Sequence, residues 1–206
     1  MLRHACVFAG AVMLLVSGLQ SASGQDRQGA DEQLRVRRLT GIGQRARAAT
    51  PFFQTSVGSG VERAQDWHVV FATYDTAPEW IDDLLVQFFV LSAKPDPETR
   101  QNVYSLYKKT VRYGDVERGR DHRADVFLRP EALKRFGDVV ACAAVFTLNG
   151  KVVAEPEEKS ATLPESWWRN PLVIDSPALK VREGYLLNRA ESPWAMINPD
   201  DYEVIK

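Results

Sequence analysis

Cysteine is nearly absent from this chain. Of its 206 residues only Cys6 and Cys142 are cysteines. Cys6 stands within the first apolar run, before that run is complete. A lipid-anchor cysteine would follow the run, so Cys6 is not read as one. Cys142 alone then remains in the body of the chain, which excludes an internal disulfide and any zinc site built on paired cysteines. A lone cysteine in an apolar run, here Asp138 to Thr147, reads as a small hydrophobe; a reactive thiol or an intermolecular disulfide is the alternative. A net field of one sign is also missing. Lys+Arg number 26 and Asp+Glu 27, so no strong overall charge gathers nucleic acid or an anionic membrane. Catalytic signatures are missing too: no Gly-x-Ser-x-Gly, P-loop, dinucleotide fingerprint or His-Glu-x-x-His is found. No catalytic residue, cofactor or metal is expected.

Long hydrophobic runs are limited to Ala5–Val16, behind a basic start at Arg3 and His4. The run is too short to span a bilayer, and the small residues Ala22 and Gly24 are spaced like a signal-peptidase site. Residues 1–24 therefore read as a signal peptide. The mature protein is expected to be exported: periplasmic, outer-membrane associated or secreted. Roughly 180 residues remain, enough for one domain with a real core.

Residues 25–44 are polar and basic, with Arg35, Arg37 and Arg38 followed by Arg45 and Arg47. They read as a flexible arm whose arginines are solvated. From residue 45 to 155, β-branched and aromatic runs alternate with turn chemistry. Strands are expected over 46–55, 67–74, 84–91, 103–113, 124–128 and 138–148, with a return over 151–155. On the second, Trp67, Val69 and Phe71 make one apolar face; on the third, Leu84, Val86, Phe88 and Val90 do. Lys108 and Lys109 suggest a guarded sheet edge. Pro130 to Phe136 has a proline first turn, a basic end and Gly137 as its stop, so it reads as a short helix. Asn149-Gly150 between two apolar runs predicts a two-residue hairpin turn.

About seven short strands joined mostly by turns predict an all-β, immunoglobulin-like antiparallel sandwich, with an OB-type barrel as the rival. In the immunoglobulin order Cys142 falls on the sixth strand, and the second strand carries no cysteine to meet it. Residues 156–206 are proline-rich and then apolar again, so this C-terminal extension is expected to dock on the sandwich or to cross to a neighbour.

Candidate chemistry is thin. Asp121, His122 and Asp125 share one turn, but neighbours in a turn rarely converge on one centre. Asp82-Asp83, Glu157-Glu158 and Asp200-Asp201 read as solvated pairs, because hydrolysis of a glycosidic bond needs carboxyls facing across a cleft. The tryptophans carry more. Trp167 and Trp168 cannot both be buried if their segment is extended, so one is expected as an exposed contact. Trp167, Trp168 and Trp194 are the candidate interaction residues, for a protein partner or, alternatively, for a carbohydrate stacked on exposed rings.

Several strings point to a family. Ala77 to Asp83 (APEWIDD), Val103 to Tyr107 (VYSLY), Val116 to Gly119 (VERG), Gly184 to Arg189 (GYLLNR), and Ser192 to Trp194 running on to Lys206 resemble small secreted proteins of verrucomicrobial bacteria. The best-known relative is encoded with type IV pilus assembly genes and has an immunoglobulin-like sandwich. The resemblance spans about Trp67 to Lys206. It implies a non-enzymatic role in the cell envelope and brings no catalytic residues. The expected partner is an envelope protein, for which the resemblance points to the pilus machinery, with no nucleic acid and no membrane insertion after cleavage. Oligomeric state stays open.

Overall fold

Side-chain alternation divides the strands of this chain between a shared inner face and two outer faces. The computed structural model describes residues 33–51, 65–198 and 203–206. The signal peptide, the first part of the expected arm, the end (52–55) of the expected strand over 46–55 and the Asp200-Asp201 pair lie outside the described residues.

The first sheet holds β1 (Leu34–Thr40), β2 (Arg47–Ala49), β3 (Asp66–Thr76), β6 (Gly119–Leu128) and β11 (Leu186–Asn188). Its order is β1-β3-β6-β11, with β2 also paired to β3. The second holds β4 (Ile81–Pro95), β5 (Asn102–Val116), β7 (Asp138–Leu148), β8 (Lys151–Ala154), β9 (Glu157–Lys159), β10 (Leu179–Val181) and β12 (Val204–Ile205). Its order is β10-β5-β4-β7-β8, with β12 also on β5 and β9 also on β7. Pairing of β3 with β6 in one sheet and of β4 with β5 and β7 in the other is the immunoglobulin-like arrangement. All pairs are antiparallel except the short β10–β5.

Local chemistry explains several elements. Asn149 (φ 52°) and Gly150 (φ 76°) take the left-handed conformations that the expected hairpin turn requires. Helix α1 (Pro130–Phe136) has Pro130 and Glu131 in its first turn, Lys134 and Arg135 in its last, and Gly137 at its C-cap. A second short helix, α2 (Pro171–Ile174), is capped by the Asn170 side chain, which accepts from Leu172 N. Beyond α1 the sequence showed no helix, because α2 is one turn set by its cap rather than by apolar periodicity.

The inner core is built from Val70, Ala72 and Tyr74 of β3, Leu84, Val86, Phe88 and Val90 of β4, and Cys142, Ala144 and Phe146 of β7. The even face of β4 thus points inward as expected. On β3 the even face is also inward, so the apolar Trp67, Val69 and Phe71 lie on the outside of the sandwich. Cys142 is fully buried, and its burial pushes the thiol up. A Cβ on Gly41 would collide with its Sγ and press on Val70. Val70 of β3 and Gly41 thus occupy the space beside the unpaired thiol.

Both outer faces are covered by the C-terminal extension. Over the second sheet, Trp167 and Trp168 pack on Phe89, Leu91, Leu106, Ala141 and Ala143 as a second core. Over the first, Trp194 stacks on Phe127 (centroids 4.6 Å apart) and meets Trp67 edge-on at 5.7 Å. Asn188 caps the turn Arg189–Glu191 in a reciprocal capping box with Glu191. Arg189, buried beneath this turn, donates to the carbonyl of Ile197.

Two expectations change. Residues 34–40, inside the expected flexible arm, form β1, with Leu34 and Leu39 buried. A bulge between Val36 and Arg38 breaks the alternation that would have marked a strand. β10 and β12 pair with the outer side of β5 only at residues 104–106 and 113–114, so Lys108 and Lys109 lie on the stretch between them that no strand pairs among the described residues, the place of an edge guard, and Lys109 binds Glu191 at 2.6 Å. Trp167 and Trp168 are both buried, at 0% and 6% exposure. They sit in a 3-10 turn, Trp167–Arg169, and not in an extended segment, so both rings reach the same sheet.

If the extension is part of the core, Trp167→Ala lowers stability by about 3–5 kcal/mol. Leu172→Ala, at an 85% exposed position five residues on, changes it by about 0.5 kcal/mol or less. Urea denaturation of the two variants checks this.

Candidate functional site

The Asp121–His122–Asp125 trio does not converge. His122 turns to the inner face, stacked on Tyr74 at 5.4 Å, with Nδ1 2.5 Å from Glu203 Oε1. Thr76 Oγ1 donates to Glu117 O (2.6 Å) and accepts from Gly119 N, which leaves His122 Nε2 to donate to it at 3.1 Å. Glu203 is 81 residues away and arrives on the C-terminal strand, so nothing local in the sequence announces it. Asp121 is 75% exposed and points to Arg37. Asp125 is buried on the outer face of β6, 3.3 Å from Arg123 Nε. The trio is therefore a set of structural contacts pointing to different sides of one strand.

The carboxylate pairs are also divided. Asp83 is bonded by Arg112 through two contacts. Glu158 Oε2 accepts from the backbone of Gly41 (2.7 Å) and Ile42 (3.2 Å), tying β9 to the end of β1. Close by, His68 is buried with Nε2 2.6 Å from Gly41 O, and burial holds its pKa below the ordinary value. The carbonyl can only accept, so Nε2 of His68 carries a proton. Among the described residues no group of three or more His, Cys, Asp or Glu is placed to hold a metal ion.

Neither Trp167 nor Trp168 presents a face to solvent, and Trp194 is half-buried between Trp67 and Phe127. The sequence-predicted tryptophan site is in the structure the clasp of the extension. Trp80, 59% exposed beside Glu79 and Asp82, is the tryptophan with a free ring, and it stands alone.

Two larger surface features remain. One is an apolar recess of about 470 Å³ beside the Trp167 turn, lined by Leu91, Tyr104, Leu163, Leu172, Val173 and Leu179. The other is a groove of about 480 Å³ between the two sheets, with Leu34, Arg35 and Val36 of β1 on one wall and Ala154, Glu155 and Pro156 on the other. β1 ends its sheet and pairs with β3 along one side; among the described residues no strand pairs with its other side. Its side chains divide: Leu34 is buried, while Arg35, Arg37 and Arg38 are exposed. The arginine cluster noted in the sequence is thus the decoration of an open sheet edge.

A family model matches residues 44–206. The chain belongs to that family. A crystal structure of a protein from Akkermansia muciniphila is similar over 84% of this chain and 93% of that chain, at 25% identity and a TM-score of 0.67. No curated protein matches. The verrucomicrobial resemblance read from the sequence holds, and the family match begins ahead of Trp67, where the resemblance was first read. Two of the strings that carried it are clasps: Gly184 to Arg189 supplies β11, the capping-box Asn188 and the buried Arg189, and Ser192 to Trp194 leads into the stacked ring; the others lie at the start of β4, on β5 and at the turn into β6.

Asp125 yields a pH prediction. Burial pushes its carboxyl up to about 6, against the pull of Arg123 and Arg189. Between the ordinary value of 3.8 and about 6 the folded chain holds a proton that the unfolded chain has released. This group therefore lowers stability as pH rises through that window, by roughly 2–3 kcal/mol in all. Asp125→Asn removes that loss, so its stability relative to the natural chain rises from pH 4 to pH 7. Denaturant midpoints at the two pH values check it; parallel curves refute the assignment.

Proposed function

We propose that this chain is an exported, non-enzymatic domain that binds another protein in the cell envelope. The observation that carries the reading is the open outer edge of β1, with a groove beside it and exposed arginines along it. An unpaired strand edge offers a row of main-chain donors and acceptors, and proteins either guard such an edge or use it to bind an extended segment. The extension covers much of the outer faces of both sheets, so a partner meets the sandwich more readily at an edge, and β1 is the edge that has a groove and exposed arginines beside it. The apolar run at Ala5–Val16 supports export. The setting in a type IV pilus assembly comes from the verrucomicrobial resemblance. Buried Trp167 and Trp168 take away the platform on which a carbohydrate-binding reading rested.

In-cell photo-crosslinking tests it. A photoreactive residue at exposed Gln33, beside β1, is expected to capture a defined envelope protein. The same residue at exposed Glu131 on α1 is expected to capture none. Identical adducts at both positions, or none at either, contradict the reading.

A further inference from the structure

We propose that the outer edge of β1 takes up an extended acidic segment of its partner as an added strand. This rests on the protein-binding reading and gives it a ligand chemistry.

Charge makes the selection. Five arginines lie on or near β1. Arg37 is neutralised by Asp75 (2.6 Å) and lies 3.6 Å from Asp121, and Arg47 is paired with Asp138 at 3.0 Å. Arg35, Arg38 and Arg45 are exposed and have no carboxylate partner among the described residues. Glu155, the carboxylate on the groove wall, is itself held by Arg169 through two bonds of 2.7 and 2.9 Å. Its charge is compensated, so the edge keeps a surplus of positive charge.

Geometry adds the extended form. Leu34, Val36 and, past the bulge, Leu39 face the core, so Arg35, Arg37 and Arg38 present their side chains away from it while the free main-chain groups run along the edge. A strand laid there forms ladder bonds to β1, sets its own inward residues over Val36 and Ala154 at the groove, and brings alternate carboxylates to Arg35 and Arg38.

The guarding role of such features is compatible with this. A bulge and a row of arginines repel a second copy of the same edge, because like charges would be placed opposite one another. The same row attracts an acidic strand. Edge charge therefore excludes self-association and sets partner choice at once. A flexible polyanion would use the arginines but not the main-chain groups, which separates it from a peptide by experiment.

The test uses the full mature chain and a synthetic ten-residue peptide alternating Glu and Val, followed by calorimetry and by amide hydrogen exchange. Binding is expected, with new protection in residues 34–40. A Lys/Val peptide is expected not to bind. The double variant Arg35→Glu with Arg38→Glu is expected to lose affinity by about tenfold or more, as removal and reversal of steering charges do. Arg35→Lys with Arg38→Lys, which keeps the charge, is expected to retain binding and so controls for folding. An acidic peptide N-methylated at alternate residues is expected to fail, since it cannot complete the ladder. The proposal is overturned if the natural chain shows no binding, if the N-methylated peptide or dextran sulfate binds equally well, or if protection appears elsewhere than β1. Crosslinking at Gln33 without acidic-peptide binding would leave the protein-binding reading standing and remove this one. Peptide binding without any in-cell adduct would do the reverse.

Discussion

Each sheet of this sandwich is apolar on both faces, and that constraint shapes everything downstream of β9. Phe89, Leu91 and Leu106 on one outer face, and Trp67, Val69 and Phe127 on the other, would stand in water without a cover. Burying a large apolar side chain is worth about 1.5–3 kcal/mol, so leaving several exposed would remove a large share of a domain's stability. The C-terminal extension supplies the cover on both sides, with the Trp167-Trp168 turn on one sheet and Trp194 on the other. In a domain with a single buried thiol and no disulfide among the described residues, this burial takes the place of a covalent brace.

Polar contacts then fix where the extension lies. Arg189 is buried, donates to the carbonyl of Ile197 and favours the charged form of the Asp125 carboxyl. Lys109 reaches Glu191, and Glu203 meets His122 at the far end of the sheet. These groups cost desolvation and are each matched, so they specify position more than they add stability. The two C-terminal strings of the family map onto this clasp and the others onto strands and turns of the sandwich body, which explains why they identify relatives without naming a reaction.

Much of the fold was legible because it rested on short-range chemistry. The Asn149-Gly150 hairpin needed only two residues, α1 only its ends, and β4 only its period of two. What escaped rested on distance. On β3 both faces are apolar, and only Trp194, more than a hundred positions on, reveals that the odd face is external. β1 escaped because its bulge shifts the alternation between Val36 and Arg38. The tryptophan pair was misread because a 3-10 turn, unlike a strand, lets neighbours share a side. The candidate site was legible only as composition: the arginines were visible, but the open edge that gives them a role is a property of sheet order.

The extension is part of the cooperative unit, and the edge of β1 is the part proposed to meet a partner. Native-state hydrogen exchange under increasing denaturant tests that division most directly. Amides of Trp167–Arg169 and Leu186–Asn188 should exchange only with global unfolding, at the same free energy as the central strands β4 and β7. Exchange of the extension at a much lower free energy, while β4 and β7 stay protected, would contradict it: the sandwich would then be stable with its outer faces bare.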